Sequence, residues 1–170
     1  MQVNRAISVS ALVLTMLFCA NAFSQSLTRH TGFIASGVAS GAQEVPSNAS
    51  QAKAVVYVLF DEGLTQAQVL LKLDGVNSVV VASHFHCALP GQNGPVSFGL
   101  LSPGPLGGIV GEASTTLTNA HSVGVCTVAG HTVSNIAGLY FAMKEGLIYL
   151  NVHTAEYPGG EVRAQMQVER

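Results

Sequence analysis

Between residues 32 and 168 the chain is broken again and again by glycine, proline, asparagine and aspartate, and the stretches between the breaks are short, apolar and often alternating. That punctuation constrains the fold most. Short strands joined by frequent turns bury an apolar face by pairing antiparallel in a sandwich or barrel. The alternation is cleanest in EVRAQMQV (161–168), which predicts Val162, Ala164, Met166 and Val168 facing in and Glu161, Arg163, Gln165 and Gln167 facing out. LIYLNVHT (147–154) precedes it, and the connection AEYPGG supplies Pro158 and the Gly159-Gly160 pair for the turn of a hairpin.

The same reading predicts strands at 32–39, 52–60, 64–73, 78–86 and 109–117, and a short one near 96–100 inside the glycine- and proline-rich stretch 87–108. AKAVVYVLF (52–60) is apolar at nearly every position, as in a strand covered on both faces. One helical signal stands out in SNIAGLYFAMKEG (134–146). Ile136, Leu139, Tyr140 and Met143 fall at i, i+3, i+4 and i+7, Ser134 is placed to cap the start and Gly146 to end it. Gly138 inside this helix costs about 1 kcal/mol relative to alanine. The expected fold is all-β: an antiparallel β-sandwich with Greek-key-like connections and one short helix before the C-terminal hairpin. A single domain over 32–168 is long enough to bury a core.

Part of the apolar content is local. Arg5, an apolar run from Ala6 to Phe18 and the small-x-small sequence Ala20-Asn21-Ala22 predict a signal peptide over 1–22. The run is short for a membrane span. Bulky Phe18 before Cys19 argues against a lipoprotein signal. Residues 23–31 read as a loose, polar mature N-terminus, and the mature protein is expected to be exported, periplasmic or secreted. Cleavage removes one basic residue, so the net charge goes from −2 to −3. With no cluster of Lys and Arg, nucleic acid and anionic membrane are not the expected partners.

Of three cysteines, Cys19 leaves with the signal, and Cys87 and Cys126 form an even pair in an oxidising compartment. A disulfide is expected; the rival is a pair of thiols ligating a metal beside His84 and His86. Alternate residues of a strand share a face, with Cα atoms ~7 Å apart, so His84 and His86 point the same way. His153 shares its strand face with Tyr149 and Asn151. If the two strands are neighbours, three imidazoles converge, a set that suits zinc or copper. Glu161 and Arg163 emerge after the next turn as candidates to orient an imidazole from behind. The plainer readings are histidines that are merely hydrogen-bonded, and an ordinary same-face Glu161–Arg163 ion pair, worth under about 1 kcal/mol if exposed. His30, His121 and His131 are expected to be solvated. No nucleophile elbow or phosphate-binding glycine loop is present. Asn48-Ala49-Ser50 is a glycosylation sequon.

SGAQEVP (40–46), SHFHCALPGQNGPV (83–96) and LIYLNVHTAEYPGGEVRAQM (147–166) resemble, in order, the signature blocks of the CHRD domain, a family named from chordin and found in many secreted microbial proteins. The resemblance spans about 32–168, with Phe85 where an aliphatic residue is usual. It implies an all-β extracellular domain with no settled catalytic reaction. It places the family's histidines on His84, His86 and His153. Growth-factor binding in chordin is associated mainly with other modules and is not carried over. The expected function is a non-enzymatic module that binds an extracellular or surface partner and holds copper or zinc at the three histidines. The alternative is a redox metalloenzyme. Copper/zinc superoxide dismutases also set a His-x-His strand on a β-sandwich, which is analogy alone.

Overall fold

The computed structural model describes residues 32–101 and 111–169. The expected signal peptide, the polar segment after it and His30 lie outside the described residues. The chain runs through β1 (Phe33–Ser40), β2 (Lys53–Phe60), β3 (Gln66–Asp74), β4 (Val80–Cys87), β5 (Val96–Leu101), β6 (Glu112–Thr118), β7 (Cys126–Val128), β8 (His131–Val133), α1 (Ile136–Lys144), β9 (Ile148–Thr154), β10 (Val162–Gln165) and β11 (Gln167–Val168). Nine strands form one antiparallel sheet, ordered β5-β4-β9-β10-β1-β2-β3-β6 with β11 beside β1. The other two, β7 and β8, make a small hairpin of their own.

The sandwich is therefore one continuous sheet, curled until it is nearly a closed barrel. Val69 and Leu71 of β3 line a small apolar cleft together with Leu100 of β5, across the gap between the sheet's two ends. The segment after β6 returns to the opposite edge. Val123 N donates to Ser97 O at 3.0 Å, and Phe98 bridges Ser122. β1-β2-β3, β4-β5 and β9-β10 are sequence neighbours that pair directly, whereas β3 does not pair with β4, nor β5 with β6.

Alternation sets the two faces. Leu150, Val152, Val162, Ala164 and Met166 have no exposed surface and point into a core shared with Phe60, Phe85 and Phe98. In β2, Ala54, Val56 and Val58 point the same way. The helix presents Ile136, Leu139, Tyr140 and Met143 to that core, as its period predicts. Asn135 rather than Ser134 caps it, its side chain accepting from Gly138 N at 2.8 Å. Gly138 is explained by packing: a Cβ there would lie 2.7 Å from Thr132 O of β8. The disulfide joins Cys87 to Cys126 and ties the small hairpin to the end of β4. Lys72 and Glu112 form an exposed ion pair between β3 and β6 at 3.4 Å.

Candidate metal centre

The outer face of β4, β9 and β10 carries the polar residues. β4 and β9 are direct neighbours, with Ala82 opposite His153, His84 opposite Asn151 and His86 opposite Tyr149. On the far side of β9, Arg163 lies opposite Asn151. Because side chains alternate, His84, His86, Asn151, Tyr149, His153 and Arg163 all stand on one face.

The three imidazoles meet there. Ring centroids are 5.2 Å apart for His84–His153, 5.7 Å for His84–His86 and 6.3 Å for His86–His153. One ligand nitrogen from each lies within 4.8 Å of the others. His86 Nδ1 donates to Gly94 O at 3.0 Å, and His153 Nδ1 donates to Pro158 O at 3.0 Å. A carbonyl only accepts, so both rings carry their proton on Nδ1 and their lone pair on Nε2. Those Nε2 atoms, with His84 Nδ1, are buried and have no hydrogen-bond partner.

Burial favours the neutral forms of His84 and His86. Burial, then the neighbouring His153 and His86, lowers the His84 pKa to about 4. Burial also lowers that of His86, with His153 and Arg163 adding to it and the Gly94 carbonyl opposing it. Behind His86 the Tyr149 ring stacks in parallel, centroids 4.8 Å apart and planes 9° apart. The Arg163 guanidinium lies 3.6 Å from the Tyr149 centroid, on a side chain 2% exposed.

Two loops cover this face. Arg163 donates to Asn93 Oδ1 at 3.1 Å and to Gln92 O at 2.7 Å, and Asn93 Nδ2 donates to Val45 O at 2.6 Å. The loop that supplies the Gly94 carbonyl to His86 is thus held by Arg163. Asn151 Nδ2 donates to both carboxylate oxygens of Glu44, at 2.8 and 2.9 Å. Burial raises the Glu44 pKa, against the opposing pull of that hydrogen bond and of Arg163. Asn48, the sequon asparagine, donates to Gly160 O and Glu161 O, so its amide straps the turn before β10. Gly160 has φ +130°, and a Cβ on it would fall 2.7 Å from Asn151 Oδ1 and 2.8 Å from Glu44 Oε1.

Arg163 lies on the outer face as expected, but this cover buries both it and Glu161, and among the described residues no ion pair joins the two. Glu161 is 3% exposed and accepts from Ser50 Oγ at 2.8 Å. Neither residue hydrogen-bonds an imidazole: backbone carbonyls hold His86 and His153, and Arg163 reaches His86 through the Tyr149 ring. The rival reading of Cys87 and Cys126 as thiol ligands falls to their disulfide. His121 is exposed, its Nδ1 accepting from Thr118 N, and His131 is half-buried in β8. The roles of Glu44 and of residues 92–94 are set by tertiary contacts that strand periodicity does not reveal.

Fold and face together define an all-β domain that displays a three-histidine cluster on the outside of its central strands. The chain belongs to the CHRD domain family, whose model matches residues 35–166. No curated protein and no solved structure matches the chain significantly. Among the described residues, no helix is long and apolar enough to cross a membrane.

Proposed function

We propose that this chain is an exported CHRD module that holds one copper or zinc ion at His84, His86 and His153 and acts by binding an extracellular partner rather than by catalysis. The observation that carries the metal reading is the trio of buried ring nitrogens left without partners around one point. Each unsatisfied buried polar group costs about 1–3 kcal/mol. A metal ion that accepts all three lone pairs offsets that cost at once. Imidazole suits both copper and zinc.

The binding role is supported by what surrounds the rings. Both carboxylate oxygens of Glu44 are taken up by Asn151, and Glu161 Oε1 accepts from Ser50. The imidazoles themselves are half-buried at the surface. Export is supported by the disulfide, which fits an oxidising compartment, and by the signal-like residues 1–22. One observation favours the alternative, a redox metalloenzyme: three protein donors leave a fourth position to a substrate.

The test is the metal content of the mature protein, purified without an affinity tag, beside His84→Ala, His86→Ala and His153→Ala. Close to one equivalent of copper or zinc is expected, lost in each variant. No uptake after incubation with both metals overturns the metal reading. Turnover of superoxide or peroxide by the loaded protein replaces the binding module with the enzyme.

A further inference from the structure

We infer that the three-histidine cluster holds copper in its +1 state, in a three-coordinate site, in preference to a divalent ion. This rests on the metal reading above and adds to it the charge and coordination number of the ion.

The donors set the first condition. All three are imidazoles, and among the described residues no carboxylate or thiolate joins the group. Cys87 follows His86 directly, but it is in a disulfide and points into the core. The ion therefore receives no negative charge from its ligands.

The surroundings set the second. Arg163 is buried on the same face as the cluster, and the stack guanidinium–Tyr149–His86 places its charge behind one ligand. Its hydrogen bonds go to neutral acceptors, Asn93 Oδ1 and Gln92 O. Glu44 attracts it, but both Glu44 carboxylate oxygens are taken up by Asn151 Nδ2 and not by the guanidinium. A buried cation repels a divalent ion twice as strongly as a monovalent one at the same distance.

Access sets the third. The unpartnered nitrogens of all three rings are shielded from solvent. Zinc completes a tetrahedron by adding water to three protein ligands. Copper(I), a d10 ion, accepts three donors in a plane and requires no fourth. Neutral donors, a nearby cation and shielded lone pairs all favour the ion of lower charge and lower coordination number.

The test is competition of the full-length mature chain against chromophoric chelators for Cu(I), Cu(II) and Zn(II), with X-ray absorption on the copper(I) form. Copper(I) is expected to bind at least tenfold more tightly than copper(II), with three nitrogen neighbours. In Arg163→Met, checked for folding by circular dichroism, that ratio is expected to fall at least threefold, and in Arg163→Lys to be largely kept. If none of the ions binds, the metal reading itself fails. If copper(II) binds as tightly as copper(I), if a fourth donor appears, or if folded Arg163→Met keeps the ratio, this inference fails and the metal reading stands. The absorption measurement decides even where Arg163→Met does not fold.

Discussion

Protonating His84 places a charge in a half-buried gap that already holds two more imidazoles, and its pKa falls from 6.5 to about 4 as a result. The folded value lies below the unfolded one, so the unfolded chain takes up its proton first as pH falls. The stability linked to His84 is present above pH 6.5 and is lost as pH drops from there to about 4. His86 shifts in the same direction. Glu44 shifts the other way: its raised pKa gives stability that is present below 4.5 and lost as pH rises through its folded value. These opposing signs make a comparison necessary. In metal-free protein, the melting temperature of the wild type is expected to fall more steeply between pH 6.5 and 4 than that of His84→Gln. Parallel curves would mean that His84 titrates in the folded state as it does in the unfolded one.

At the scale of elements, the strands and helix that follow a clear period were legible. The helix shows this best: the four apolar residues at helical spacing are four of its five buried residues, Ala142 being the fifth. The β7–β8 hairpin was not legible, for a physical reason. Its strands are three residues each, and its turn is Ala129-Gly130, both with positive φ. Such a turn is usually signalled by Asn-Gly or Asp-Gly, and alanine gives no such sign. The burial of Glu161 and Arg163 was hidden as well. Period two says which face a residue takes, but not whether distant loops cover that face, and the covers here come from residues 41–50 and 90–95. His84, His86 and His153 were legible because parity places each on a face and two strands needed only to be adjacent. The small hairpin depends on Cys87–Cys126, a link across 39 residues of sequence. Closing a loop of that size is worth about 4 kcal/mol in the loop-entropy model. Replacing both cysteines by serine is expected to lower the melting temperature by roughly 10 °C. A variant that melts within ~2 °C of the wild type would show that the helix and core hold the hairpin without the disulfide.

Across the whole molecule, the order of strands predicts where the sheet opens. β9 is bonded on both sides, to β4 and β10, and six of its seven residues are buried. It also carries one of the three histidines and, at Asn151, donates the hydrogen bond to Glu44. β6 is the opposite case. It ends the sheet, pairs with β3 alone, and has one buried residue, Leu117, among seven. Curling brings the two ends near each other, and among the described residues the hydrogen bonds there run through residues 122–123 against β5. Local opening starts where apolar contacts are fewest and backbone bonds most exposed. Native-state hydrogen exchange on the mature protein is therefore expected to show β6 amides exchanging at least ten times faster than those of β9, with β1 and β2 close to β9. Exchange at one common rate in β6 and β9 would mean that the sheet opens as a single cooperative unit. In that case the contacts between its two ends would hold it shut as firmly as its central ladders do.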